Sequence, residues 1–312
     1  MDQTRKVGWY GLGSMGLFMA LNLHKKLKSD GSVLTYSNRT LSKGEVLAQE
    51  GALPKNGMTE LGRECDDIFL MVSTDAVLKA LINELLQSDI DLKGKTIIDC
   101  STTHPDTATK VSTFLQAAGA EFVASPVFGA NTVAEAGRLL FAMAGSQAAI
   151  QRLEPLIVGV MGRKVVNMGE NPKDSSLLKV TGNVLLVVFL EAIAETQVLA
   201  EKNGLGTSVM EEVIFENFGP VLGGYSRRMT TGSYAPKEGQ AGFAVANTIK
   251  DAKHALRIAQ DLDVRMPALD IATNNMLSAK AYGGDNLDGA ALYGTLRSQS
   301  GLSFWSNESR QC

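Results

Sequence analysis

The 312-residue chain is long enough for two domains, and 45% hydrophobic with 20% charged residues is the composition of a folded protein with a large core. A net charge of -3 and a pI near 5.7 supply no basic footprint for nucleic acid, so the expected partners are small molecules or further copies of the chain. Cys65, Cys100 and Cys312, like His24, His104 and His254, are too scattered for a disulfide framework or a metal site, which fits a reducing, cytoplasmic setting.

The first strand begins by about residue 6, which leaves no room for a targeting peptide in the chain as given. KVGWYGLG is followed by the apolar runs SVLTYSN, DDIFLMVST, KTIIDCS, AEFVASPV and LLFAMAG, with helical spacing between the early runs, as at 15–27 and 76–86. Strand and helix in alternation predict a doubly wound α/β Rossmann domain with a parallel sheet, over residues 1–167. From 168 to 312 the pattern is helical, with helices expected at 175–203, 208–217, 248–262 and 268–282. The first of these is long and apolar around most of its circumference, as expected of a helix buried between domains or subunits, and Gly204 and Gly206 stop it. Its longest unbroken apolar run, 184–190, is far short of the roughly 20 residues of a membrane span.

Gly11, Gly13 and Gly16 form a G-x-G-x-x-G between the first strand and the first helix, with Leu12, Ser14 and Met15 between them. Such glycines permit a tight turn, approach of a pyrophosphate to the backbone and close helix packing, and the helix N-terminus offers N–H groups to phosphate. The second strand ends in Asn38, Arg39 and Thr40 where an NAD binder usually carries an acid, so the donors present predict NADP(H). Ser73 and Thr74 close the DDIFLMVST run, either as ribose contacts or as a polar strand cap.

The segments GLGSMGLFMALNLHK, DCSTTHPDTA, LLKVTGN and IKDAKHALRIAQ, in this order and spacing, resemble the β-hydroxyacid dehydrogenase family. That family includes 3-hydroxyisobutyrate dehydrogenases, tartronate semialdehyde reductases and glyoxylate and succinic semialdehyde reductases. The resemblance implies a Rossmann domain, a long interdomain helix and an all-helical second domain, with substrate in a cleft and a homodimer or homotetramer as the assembly. It implies that Lys179 is the catalytic lysine, Asn183 a substrate-binding asparagine, Ser101 and Thr102 substrate contacts, and Lys250 with Asp251 a pair near the cofactor.

Hydride transfer to a carbonyl carbon builds negative charge on oxygen, so a proton donor within reach lowers the barrier; Lys179 would be acid in reduction and base in oxidation, with Asn183 one turn on. Read without the resemblance, Lys179 is equally an amphipathic stem with a wet ammonium, Ser101 and Thr102 a turn or helix-cap pair, and Lys250-Asp251 a charged helix start. Asp99 reads as structural, Glu191 and Glu195 as interface or wet carboxylates, and His24 and His254 as solvated.

The resemblance fails at two places. Where the family has A-P-V-S-G-G this chain has Ser125-Pro126-Val127-Phe128-Gly129-Ala130, which puts a phenyl ring at the family's carboxylate-binding serine. The family's G-x-G ahead of the lysine is replaced by Asn171-Pro172-Lys173-Asp174-Ser175-Ser176. If Phe128 faces the substrate, a less polar or bulkier carbonyl compound is expected. Two other readings stand beside the dehydrogenase: an imine reductase, which generally carries Asp or Tyr at the position of Lys179, and a non-catalytic cofactor-binding scaffold, which would need the glycine loop but not the lysine.

Overall fold

A computed structural model of the chain describes residues 5–236 and 241–306; Cys312 lies outside them. The residues divide into two compact units, 1–179 and 180–312, a division twelve residues beyond the boundary expected at 167.

In the first unit the chain runs β1 (Val7–Tyr10), α1 (Gly16–Ser29), β2 (Thr35–Ser37), α2 (Glu45–Gln49), β3 (Leu53–Pro54), α3 (Gly57–Glu64), β4 (Asp67–Leu70), α4 (Asp75–Leu86), β5 (Thr96–Asp99), α5 (Pro105–Ala117) and β6 (Glu121–Ala124). The six strands pair in parallel in the order β3-β2-β1-β4-β5-β6, so the winding reverses between β1 and β4. Alternate residues face opposite sides: Phe69, Ile98 and Val123 pack with Leu23 of α1, while Ile68, Ile97 and Phe122 pack with Leu61, Leu81 and Val111 of α3, α4 and α5. A sheet apolar on both faces must be covered on both, which is why the strand segments read as continuous apolar runs. Each fully buried Leu or Ile contributes roughly 1.5–3 kcal/mol relative to an exposed one.

A second sheet follows: β7 (Val127–Phe128), α6 (Asn131–Glu135), β8 (Leu139–Met143), α7 (Gln147–Ile157) and β9 (Gly162–Asn167), ordered β7-β8-β9 with β7 antiparallel to β8. The LLFAMAG run is therefore a strand of a separate small sheet rather than of the parallel one.

From α8 (Pro172–Lys202) onward the described residues are helical: α9 (Thr207–Thr230), α10 (Val245–Asp261), α11 (Pro267–Gly283) and α12 (Leu292–Gln299). α8 has an 18-residue window of mean hydropathy 1.9, apolar enough by composition to cross a membrane. Val180, Val187, Leu190, Ile193, Ala194 and Val198 account for much of that apolarity, because they lie in the core of the second unit with Ala252 of α10 and Met276 of α11. Gly204 and Gly206 have φ of 81° and 90° and end α8 as expected. α9 runs past the expected end at Asn217: Gly219, at φ 80°, interrupts it and Pro220 restarts it, since proline suits the first turn of a helix.

Candidate functional site

The glycine loop lies at the carboxyl end of β1, beside the reversal in strand order where open α/β sheets bind ligands. Each glycine is needed for a different reason. A Cβ on Gly11, which has φ 103°, would stand 2.1 Å from the Met71 carbonyl oxygen, and one on Gly16 would stand 2.1 Å from the Gly11 oxygen. Those two are demanded by the chain's own packing. A Cβ on Gly13 would meet nothing within 4 Å, so the space beside it is a cradle open to a ligand. Met15 at the N-cap of α1 makes no side-chain capping bond, which leaves helix N–H groups for an anion. This arrangement fits a dinucleotide pyrophosphate.

Asn38 braces the loop: its Oδ1 accepts from the Leu12 amide at 2.9 Å and its Nδ2 donates to the Thr40 carbonyl at 2.7 Å. Arg39 and Thr40 are exposed beside it. At the end of β4, Thr74 caps α4 by accepting from the Val77 amide, while Ser73 is exposed. At the end of β5, the Ser101 hydroxyl accepts from the Val72 amide at 2.9 Å, and buried Asp99 accepts from the Ser101 amide and the Thr103 hydroxyl. The N-cap of α5 is His104, not the Ser101-Thr102 pair. Ser101 thus ties two loops at one sheet edge, and Thr102 next to it is only partly buried.

Lys179 is 8% exposed despite its charge, so the wet-stem reading does not describe it. Its Nζ lies 4.5 Å from the centroid of the Phe128 ring, a cation–π contact. Gly129 follows at φ 135°, and a Cβ there would come within 2.9 Å of Val133 and 2.7 Å of Leu139, so the turn that carries Phe128 accepts only glycine.

The second unit holds another polar group. Asp251, 2% exposed, accepts from Asn183 Nδ2 at 2.7 Å through Oδ2 and pairs with Lys250 Nζ at 3.0 Å through Oδ1. A carboxylate accepts only, so it fixes which end of the Asn183 amide faces it. Asp251 therefore holds the Asn183 amide and pairs with its neighbour Lys250, a role that spacing alone did not show for Asp251.

Two readings need correction. His24 is buried, not solvated: it is 1% exposed, with Nε2 3.0 Å from the Glu50 carbonyl, because its face of α1 packs under α2. Glu191 is neither wet nor presented at the surface; it is 5% exposed and bonded by Asn275 Nδ2 at 2.5 Å, with Oε2 unpartnered among the described residues. Burial pushes its pKa up to about 7, partly offset by Asn275. Burial also pushes the Cys65 thiol to about 11 and Cys100 well above the ordinary range, so neither presents a thiolate.

A doubly wound sheet with this loop at its switch point defines a dinucleotide-binding class of protein. Residues 6–169 match the family of the NAD-binding domain of 6-phosphogluconate dehydrogenase, and residues 174–296 match the NAD-binding domain of NADP-dependent 3-hydroxyisobutyrate dehydrogenase. The chain belongs to the β-hydroxyacid dehydrogenase family. It is 29% identical to the NADH-dependent oxidoreductase ucdB of Aspergillus ustus, over 93% of this chain and 98% of that protein. It is also 29% identical to glyoxylate/succinic semialdehyde reductase 1 of Arabidopsis thaliana, over 92% and 96%. A 3-hydroxyisobutyrate dehydrogenase of Mycobacterium tuberculosis, solved with L-serine, shares the fold at a TM-score of 0.78 and 24% identity, over 95% of this chain and all of that one.

Proposed function

We propose that this chain is an NADP(H)-dependent oxidoreductase acting on the carbonyl or hydroxyl carbon of a small substrate, in a range from β-hydroxyacids and semialdehydes to less polar carbonyl compounds. The observation that carries the reading is a lysine amine withdrawn from water at the start of α8, in the register of the family's catalytic lysine. Bound nicotinamide supplies or accepts the hydride. Lys179 supplies the matching proton to the carbonyl oxygen in reduction and removes it in oxidation, and its ammonium offsets charge developing on that oxygen. Asn183, held by Asp251, offers a preset amide to the substrate. Gly13 and the uncapped start of α1 would hold the pyrophosphate.

NADP(H) is favoured by the end of β2, where no carboxylate stands to accept from a ribose 2′-hydroxyl and Arg39 is exposed to meet a 2′-phosphate. One kinetic series tests both parts. Lys179→Ala should lower kcat by roughly 10²- to 10⁴-fold with NADPH affinity nearly intact, and Arg39→Ala should selectively weaken use of NADPH by roughly 10-fold or more. Near-normal turnover in the first variant contradicts the lysine's role; equal use of NADH and NADPH, unchanged by the second, contradicts the cofactor preference.

We also propose a homodimer or homotetramer, on the apolar side chains that α8 and α9 leave exposed, among them Leu185, Leu199, Phe218 and Val221. Sedimentation at micromolar concentration should give at least twice the mass of one chain; a monomer would remove this part.

A further inference from the structure

Phe128 ends β7, the edge strand of the small sheet, with Val127 buried on one side and the phenyl ring on the other. Its backbone is held on both sides: β7 is paired to β8 through Phe128 and Leu140, and the next residue, Gly129, is at a φ and among side chains that admit no Cβ. From that backbone position the ring lies against the Lys179 amine, 4.5 Å from Nζ to the ring centroid. An aromatic face carries partial negative charge and has no N–H or O–H to donate, so it attracts the ammonium and offers an anion nothing. A carboxylate brought beside this amine would lose hydration against the ring without a donor from residue 128 to replace it. An alkyl or aryl group in the same place would gain contact with the ring.

We propose that Phe128 is a specificity-determining residue, favouring carbonyl compounds with no carboxylate on the reacting carbon. The inference rests on the reading of Lys179 as proton donor and narrows the substrate range of that reading to its less polar end. The step balances as an ordinary reduction: the carbonyl carbon takes hydride from reduced nicotinamide, the C=O π pair moves to oxygen, and that oxygen takes a proton from the Lys179 ammonium. The products are an alcohol, oxidised nicotinamide and a neutral amine that regains its proton from water.

The test compares kcat/KM for propanal and glyoxylate, which are similar in size, in wild type, Phe128→Ser, Phe128→Tyr and Lys179→Met, with benzaldehyde as a larger uncharged probe. Wild type should favour propanal over glyoxylate by about 10-fold or more, the range a charge-assisted hydrogen bond can control. Phe128→Ser should shift that ratio toward glyoxylate by about 10-fold, and Phe128→Tyr, which keeps the ring, should hold it near the wild-type value. Phe128→Thr serves as a second hydroxyl-bearing variant if Phe128→Ser does not fold. A wild-type preference for glyoxylate, or a ratio unmoved by Ser and Thr, overturns the inference. Lys179→Met separates the two claims: loss of turnover on every substrate leaves the lysine's role standing whatever the ratios show, and retained turnover removes that role directly.

Discussion

Glu191 shows how one buried group couples the fold to pH. Its ordinary pKa of 4.5 is pushed to about 7 in the folded chain, chiefly by burial. As pH rises from 4.5 to 7 the unfolded chain releases this proton before the folded chain does. The group's contribution is therefore fully present below 4.5, falls through that window and is lost above about 7. Ionisation at higher pH costs the fold on the order of 3 kcal/mol. Glu191→Gln, which keeps an acceptor for Asn275 but cannot ionise, should unfold at a higher temperature than wild type at pH 8 and at nearly the same temperature at pH 4.5. Equal melting temperatures at both pH values would show that the carboxyl is not held protonated. Neither this nor the Asp251 bond to Asn183 was legible in the sequence, because each joins residues more than 65 apart, Glu191 with Asn275 and Asn183 with Asp251. His24 was misread for the same reason: its neighbours in sequence are lysines, but its neighbour in space is the end of α2.

The loop from β1 to α1 was legible almost completely, since glycine at three set positions has few purposes between a buried strand and a helix. The structure separates those purposes, and they predict different failures. Gly11→Ala forces a Cβ into the Met71 backbone at a φ that alanine rarely adopts, so it should lower thermal stability by several degrees even without cofactor. Gly13→Ala has open space around its Cβ and should melt like wild type without cofactor, yet lose about 10-fold or more in cofactor affinity by fluorescence titration. Unchanged affinity in Gly13→Ala would mean the cradle is not where the pyrophosphate sits. Other elements escaped the sequence for physical reasons. β3 is two residues long and includes Pro54, and β9, in the order Gly-Arg-Lys-Val-Val-Asn, is largely exposed and without alternation; both exist because a neighbouring strand pairs with them. The antiparallel pairing of β7 with β8, which brings Phe128 to its place, is likewise a tertiary event.

For the molecule as a whole, two core clusters on the two faces of one sheet and a third within the helical unit account for most of the apolar pattern. That pattern is why fold class could be read before any contact was known, while the contact of the Phe128 ring with the Lys179 amine, 51 positions apart in the chain, could not. The proposed activity joins a cofactor-binding loop at the start of the chain to a proton donor at residue 179, and it is best tested by following the hydride itself. Wild-type protein is incubated with an aldehyde and NADPH carrying deuterium at the transferable C4 position, and the alcohol product is weighed by mass spectrometry. The product should carry one deuterium on the former carbonyl carbon, and Lys179→Met at matched cofactor occupancy should form at least about 100-fold less of it per unit time. An alcohol without deuterium, or a Lys179→Met variant that forms labelled alcohol at the wild-type rate, would contradict the account.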